Sequence, residues 1–204
     1  MNSDLARAEQ LNVGLIADTH MPGSIKRLWP EVYEAFSNVD CILHAGDLHI
    51  PEVIDELDRL APTFVCRGNG DRGVVHEKLK DSWIGSLAGV QVGLTHRFPT
   101  PRRATPESLQ QKLHAHFPEV APQVLIYGHT HLAEVHQVDG RIYINPGSPT
   151  LPNNQSTRPG TIGILAINPQ HITVELFQIS EGGLTLTSKI IDHRERRGHD
   201  VQIR

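Results

Sequence analysis

The segment at residues 41–71, CILHAGDLHIPEVIDELDRLAPTFVCRGNGD, has two short apolar runs on either side of an amphipathic stretch. In the middle part, 50–60, apolar residues recur at spacings of three and four, which predicts a helix. The flanking runs at 41–47 and 63–71 are short, contain β-branched residues and end in glycine and aspartate, which predicts two strands. A strand–helix–strand order is typical of parallel strands joined by a crossover helix.

This alternation continues upstream and gives way to hairpins downstream. The sequence VGLIAD at 13–18 predicts another strand, and PEVYEAF at 30–36 predicts a helix with proline in its first turn. Further segments are predicted at 84–96 and 133–148 (hairpins), 108–117 (a helix), and 123–131, 161–167, 171–179 and 184–191 (strands). An α/β unit followed by a strand meander predicts two sheets packed face to face with helices outside.

The length and composition indicate one globular domain over residues 1–204, with its core at about 12–191. Residues 1–11 are polar and are predicted to fray, and the charged segment from residue 192 onward is predicted to be a solvated tail. The formal net charge of -4 excludes a basic nucleic-acid-binding domain as the main identity. No apolar run approaches the length of a membrane span, so no membrane partner is expected.

The two cysteines, Cys41 and Cys66, are too few for a disulfide framework. Both lie inside predicted strands, where a thiol is most simply a small buried apolar group. The N-terminus lacks the apolar core of a signal peptide. These observations favour a reducing compartment and predict a cytoplasmic location.

Polar side chains follow five of the predicted strands at the point where each strand ends. In open α/β sheets, ligands bind outside the carboxyl ends of the strands, so these side chains are expected to converge on one site. They are Asp18 and His20, Asp47, Asn69, His96, and His129 with His131.

Oxygen and imidazole groups without thiolate favour divalent ions such as Mn, Fe, Ni and Zn. Seven ligands are too many for one tetrahedral ion and are about right for two ions that share a carboxylate. Paired divalent ions are the arrangement that enzymes use for in-line displacement at phosphorus. The inventory therefore predicts a dinuclear metal site.

The order of these motifs resembles the calcineurin-like metallophosphoesterase superfamily, and most closely its small single-domain branch, which includes the YfcE-type phosphodiesterases. The resemblance runs from residue 13 to about residue 191. It rests on Asp18-Thr19-His20, Gly46-Asp47, Gly68-Asn69-Gly70-Asp71, His96, Gly128-His129-Thr130-His131 and Asn145-Pro146-Gly147-Ser148.

This resemblance implies an α/β fold of four layers, α/β/β/α, in which helices flank two packed mixed sheets. It also implies two divalent ions per chain, with Mn the first choice and Ni, Fe or Zn as alternatives. One ion would take Asp18, His20 and His131, the other Asn69, His96 and His129, and Asp47 would bridge them. The implied activity is hydrolysis of a phosphodiester, nucleotides included, by a metal-activated water, with Asp47, Asn69 and His129 as catalytic residues.

Two other functions are open for this sequence. One relative of the branch serves as a scaffold subunit in membrane trafficking, so a non-catalytic metal-binding interaction module is one alternative, and a phosphomonoesterase is another. A homo-oligomer is also compatible with the sequence. The segment 68–73 fits the G-x-G-x-x-G pattern of dinucleotide-binding proteins. Dinucleotide binding is not expected, however, because no apolar helical face follows the segment and residues 84–95 contain no acid.

Gly70 is the main departure from the family pattern. Many superfamily enzymes have histidine directly after the asparagine ligand, where it can protonate the leaving oxygen, whereas glycine has no side chain to do so. The expected consequence is a preference for diesters with good leaving groups and weak monoesterase activity. His49 is a candidate to line the site, and Arg97, Arg102 and Arg103 are candidates to steer an anionic substrate.

Overall fold

The computed structural model describes residues 3–193, which form two mixed β-sheets flanked by helices. The helices are α1 (Ser3–Arg7), α2 (Pro30–Phe36), α3 (Glu52–Asp58) and α4 (Pro106–His116). The strands are β1 (Leu11–Ile16), β2 (Cys41–His44), β3 (Thr63–Cys66), β4 (Leu79–Lys80), β5 (Ser82–Leu87), β6 (Val90–Thr95), β7 (Val124–Ile126), β8 (Ala133–Val138), β9 (Arg141–Pro146), β10 (Thr161–Ile167), β11 (His171–Ser180) and β12 (Gly183–His193).

The seven-stranded sheet has the order β12-β11-β10-β1-β2-β3-β4, and the five-stranded sheet has the order β5-β6-β7-β9-β8. Parallel pairing joins β1 to β2 and β2 to β3, as the strand–helix–strand pattern predicts, and it also joins β3 to the short strand β4. In the second sheet β7 lies parallel to both β6 and β9. The remaining neighbours are antiparallel, so both sheets are mixed.

Three apolar clusters separate four layers. The largest lies between the two sheets and includes Leu15, Leu43 and Ile126. A second lies between the seven-stranded sheet and helices α2 and α3. A third packs α4 against the outer face of the five-stranded sheet through Leu109 and Leu113. The α/β/β/α architecture expected from the sequence is therefore confirmed.

Helix α3 forms because its apolar spacing puts Val53, Ile54 and Leu57 on one buried face. Its regular part is shorter than the predicted 50–60, since the flanking residues form turns. Burial of side chains of this size stabilises the fold by about 1.5–3 kcal/mol each. The helix thereby fixes the distance between the ends of β2 and β3, both of which carry site residues.

The prediction that residues 1–11 fray is wrong for the described part of that segment, residues 3–11. Residues 3–7 form α1, and Leu5 is buried in the cluster between the sheets. The carbonyls of Leu5 and Ala6 accept hydrogen bonds from the N–H groups of Ala88 and Gly89 at the turn between β5 and β6. The segment thus docks through one apolar side chain and two backbone contacts.

The C-terminal boundary also differs from the prediction. The tail was expected to begin at residue 192, but β12 continues to His193, where it pairs with β11. The rest of the predicted tail, residues 194–204, lies outside the described residues. Cys41 and Cys66 are free and buried, as predicted. Within residues 3–193, every helix is too short or too polar to cross a bilayer.

Candidate metal centre

The side chains predicted to converge do lie together at one end of the two sheets. Asp18 and His20 follow β1, Asp47 follows β2, and Asn69 follows β3. The second sheet supplies His96 directly after β6, and His129 and His131 after β7. Face-to-face packing of the sheets brings these two sets of strand ends to the same edge.

The site backbone adopts unusual conformations. Asp18, His20, Asp47, His129 and His131 all have φ between 47° and 74°, in the left-handed region. Aspartate and histidine enter this region more readily than most residues, but each such residue still carries strain. These left-handed conformations place consecutive side chains at angles that a regular strand cannot provide. Hydrogen bonds to the backbone of the site hold the conformations in place.

One group of ligand atoms comes from Asp18, His20 and His131. The Nε2 atoms of His20 and His131 are 3.0 Å apart, and His131 Nε2 is 3.5 Å from Asp18 Oδ1. His131 Nδ1 lies 2.7 Å from the carbonyl of Leu151, to which it can only donate. That bond leaves the Nε2 lone pair of His131 directed into the cluster.

A second group comes from Asp47, His96 and Asn69. His96 Nε2 is 3.5 Å from Asp47 Oδ2 and 3.1 Å from Asn69 Oδ1. His96 Nδ1 donates to the carbonyl of Ala45 at 2.8 Å, which again leaves Nε2 free to act as a ligand. Asp47 Oδ2 is also 3.6 Å from His20 Nε2, so this carboxylate lies between the two groups.

His129 is held differently from the other histidines. Its backbone N–H donates to both carboxylate oxygens of Asp18, at 2.9 and 3.1 Å, and its ring centroid is 5.1 Å from that of His96. Among residues 3–193, two sets of acidic and histidine ligand atoms lie within 4.8 Å of one another: Asp18 with His20 and His131, and Asp18 with Asp47 and His96. His129 lies beside these sets and belongs to neither.

The electrostatics of the cluster suit a cation. Burial and the neighbouring charge of Asp47 raise the pKa of Asp18 well above its usual range. Burial lowers the pKa of His20 to about 4, and burial also lowers the pKa of His129 and of His131. At neutral pH His20, His129 and His131 are therefore neutral acceptors, which is the state that a metal ligand requires, and a bound cation would favour the ionised form of the Asp18 carboxyl.

The spacing of the acceptors also fits a metal. Ligand atoms about 2.0–2.2 Å from one ion lie about 3–3.5 Å from each other. The separations of 3.0 to 3.6 Å among the carboxylate and Nε2 atoms match that requirement. Within residues 3–193, every ion pair of Asp18 and Asp47 is with a histidine, and no lysine or arginine neutralises them.

Two sets of supporting residues were not assigned roles from sequence. The Asp71 carboxylate accepts backbone N–H groups of Asp47, His49 and Gly68 at 2.7–2.9 Å, and so fixes the loops after β2 and β3 together. Ser148 Oγ donates to the carbonyl of Asp18 at 2.7 Å. Asn145 Nδ2 donates to the carbonyl of Gly128 at 3.0 Å. Asn145 and Ser148 belong to the NPGS motif at 145–148, and this motif was the signal in the sequence that could have indicated their supporting role.

The sequence pattern of the calcineurin-like phosphoesterase superfamily domain matches residues 11–170, a range that contains all seven converging side chains. The chain belongs to the calcineurin-like phosphoesterase superfamily. This membership confirms the resemblance drawn from the motifs, and it makes the chain a metal-dependent phosphoesterase by family.

Two relatives of the chain are named as hydrolases of phosphate esters. A probable metallophosphoesterase of Methanothermobacter thermautotrophicus is 35% identical over 166 residues, which cover 81% of this chain and 91% of that protein. A phosphodiesterase of Methanocaldococcus jannaschii is 28% identical over 146 residues, covering 67% of this chain and 83% of the relative.

Solved structures with the same fold include Vacuolar Protein Sorting 29 proteins. The protein from Cryptosporidium parvum superposes with a TM-score of 0.76 at 18% identity, covering 92% of this chain and all of the other. Vps29 of Entamoeba histolytica, in complex with Zn²⁺, gives a TM-score of 0.68 at 23% identity over 89% of this chain and 99% of the other. At these identities the likeness establishes the fold.

Proposed function

We propose that the protein is a phosphodiesterase with a dinuclear metal site. The observation that carries this proposal is the position of Asp47, whose Oδ2 lies 3.6 Å from His20 Nε2 and 3.5 Å from His96 Nε2. A carboxylate oxygen between two imidazole groups is the arrangement that a bridging ligand requires.

In this proposal Asp18, His20 and His131 would hold one ion, Asn69, His96 and His129 would hold the other, and Asp47 would be shared between them. Mn²⁺ is the first candidate, with Ni²⁺, Fe²⁺ and Zn²⁺ as alternatives. When bound there, two such ions would supply an activated water and positive charge for the phosphoryl oxygens.

The protein's own part is orientation. Leu151 and Ala45 carbonyls fix the rings of His131 and His96, and the backbone N–H of Gly70 donates to Asp47 Oδ1 at 2.7 Å. That hydrogen bond leaves Asp47 Oδ2 as the oxygen that faces both imidazole groups. The ligand atoms are therefore held before any ion binds, which reduces the entropy cost of binding.

The residue after Asn69 supports a diester as the substrate. Gly70 provides no side chain to protonate a leaving oxygen, and general acid catalysis is typically worth about 10²–10⁴-fold in rate. A diester with an aryloxide leaving group needs that help least. Loss of this assistance handicaps esters with alkoxide leaving groups most.

The test compares Mn²⁺-loaded protein on bis(4-nitrophenyl) phosphate and on 4-nitrophenyl phosphate. The expected result is faster turnover of the diester, with a steep decline across a diester series as the leaving-group pKa rises. Faster turnover of the monoester would contradict the diesterase proposal. A flat dependence on leaving-group pKa would show that another group protonates the leaving oxygen.

The non-catalytic scaffold is a second candidate because the fold matches Vacuolar Protein Sorting 29 at a TM-score of 0.76. The complete ligand set favours the enzyme. Stoichiometric metal uptake without turnover of either ester would favour the scaffold. The cytoplasmic location and the homo-oligomer stay predictions.

A further inference from the structure

His49 makes a close contact with the ligand residue His20. His49 Nε2 lies 2.8 Å from His20 Nδ1, and the two rings meet edge to face with centroids 4.4 Å apart and an interplanar angle of 88°. The 2.8 Å separation of the two nitrogens is within the range of a hydrogen bond.

The direction of this hydrogen bond follows from the other nitrogen of His20. His20 Nε2 lies 3.0 Å from His131 Nε2 and 3.6 Å from Asp47 Oδ2, so it faces the ligand cluster. To bind a cation there, Nε2 must carry a lone pair, and the proton of the neutral ring then resides on Nδ1. His20 Nδ1 therefore donates, and His49 Nε2 accepts.

His49 also occupies the space beside Gly70. A Cβ atom at Gly70 would overlap His49 Nε2 and would lie 2.7 Å from His49 Cδ2. The φ angle of Gly70 lies outside the left-handed region, so backbone strain does not require glycine there. The requirement is space for the imidazole of His49.

The backbone of His49 is itself held firmly. Its N–H donates to Asp71 Oδ1 at 2.8 Å, while Asp71 Oδ2 accepts the N–H of Asp47 at 2.9 Å. One buried carboxylate thus fixes both the proposed bridging ligand and His49. The φ angle of His49, 73°, turns its side chain back toward the loop after β3.

We propose that His49 is a positioning residue for His20, and that Gly70 provides the space which this role requires. The inference rests on the proposed function in one respect, since it takes His20 to be a metal ligand. Partners of the outer nitrogen of a ligating histidine typically change metal affinity by about 10–100-fold. Glycine at residue 70 and histidine at residue 49 then depend on each other, because the imidazole of His49 fills the space that a side chain at residue 70 would need.

The first test titrates metal-free protein with Mn²⁺ by isothermal calorimetry. His49→Ala should weaken binding by about 10–100-fold. His49→Gln should restore most of the affinity, because its side-chain oxygen can accept the same hydrogen bond. His114→Ala, which replaces an exposed histidine on α4, should bind as the wild type does.

The second test uses Gly70→Ala, which retains His49 and displaces its ring. This variant should weaken Mn²⁺ binding about as much as His49→Ala does. In the His49→Ala background, the same change should cost much less, because only a 3.2 Å contact with Asp47 Oδ1 then opposes the new methyl group. Circular dichroism of each variant checks that it is folded.

The outcomes separate the two proposals. A wild-type protein that takes up no Mn²⁺, Ni²⁺, Fe²⁺ or Zn²⁺ would contradict the proposed function. If the wild type binds the ion and His49→Ala binds it equally well, the inference about His49 is wrong and the proposed function stands. Additive losses from Gly70→Ala and His49→Ala would likewise overturn the coupling of the two residues.

Discussion

His44 illustrates how a single buried side chain supports the centre without belonging to it. It is fully buried at the end of β2, where Nδ1 accepts the N–H of Gly46 at 3.1 Å and Nε2 lies 3.2 Å from Thr19 Oγ1. One neutral tautomer, with its proton on Nε2, satisfies both contacts. Thr19 and Gly46 precede His20 and Asp47, so this ring links the two loops that carry them.

The burial of His44 predicts a dependence of stability on pH. Burial lowers the pKa of this side chain to about 4 from an ordinary 6.5. Because the unfolded chain takes up the proton first, the stabilisation is complete above about pH 6.5 and is lost as the pH falls toward 4. The free energy of unfolding that this one residue causes to be lost over that pH range is about 3 kcal/mol.

The measurement is urea unfolding at pH 7 and pH 4.5 in the presence of a chelator, for the wild type and His44→Gln. The variant should be less stable at pH 7, and its free energy of unfolding should fall less on acidification. If the two proteins lose the same free energy between these pH values, the buried neutral state of His44 is not a source of the acid sensitivity.

Gly70 shows where prediction from sequence reaches its limit at the residue scale. The motif order predicted the seven converging side chains, because ligand chemistry constrains residue type. The sequence alone does not show whether a side chain at residue 70 would be opposed by a positive φ or by a neighbouring group. The structure answers both points, since φ lies outside that region and His49 occupies the space that a new side chain would need. A contact between the loops that follow the neighbouring strands β2 and β3 has no signature in local sequence.

At the scale of elements, spacing and turn chemistry predicted most helices and strands. The hairpins predicted at 84–96 and 133–148 are confirmed, with turns at Ala88–Gly89 and Asp139–Gly140, and α2 begins at Pro30 as predicted. Strand β4 was missed because its two residues are too few to show a pattern. Helix α1 was missed because only Leu5 is buried in it, and one apolar residue in a polar segment gives no periodicity.

Helix α1 provides a direct test of that correction. Leu5→Ala should lower the free energy of unfolding by about 2 kcal/mol, because it leaves a cavity at the edge of the cluster between the sheets. Val120→Ala is the matched control, since Val120 is 49% exposed and its truncation should change stability by less than about 0.5 kcal/mol. Urea unfolding at pH 7 measures both. Equal stability of the Leu5 variant and the control would contradict the docking of α1 and would support the sequence-based prediction that this segment frays.

At the scale of the whole molecule, the packing of two sheets explains why the site exists. Asp18, Asp47 and Asn69 follow strands of one sheet, while His96 and His131 follow strands of the other. Each sheet alone offers an incomplete ligand set. The layered fold was predictable from the change between parallel and antiparallel patterns, but the relative positions of the two ligand sets depend on packing between the sheets.

The metal content of the purified protein tests the central claim most directly. After loading with Mn²⁺ and gel filtration, elemental analysis should give two ions per chain for the wild type and for Asp139→Asn, a change in an exposed turn. Asp47→Asn should lose at least one ion, because it removes the charge between the two imidazole groups. A wild-type protein with one ion or none, or two ions retained in Asp47→Asn, would contradict the dinuclear site bridged by Asp47.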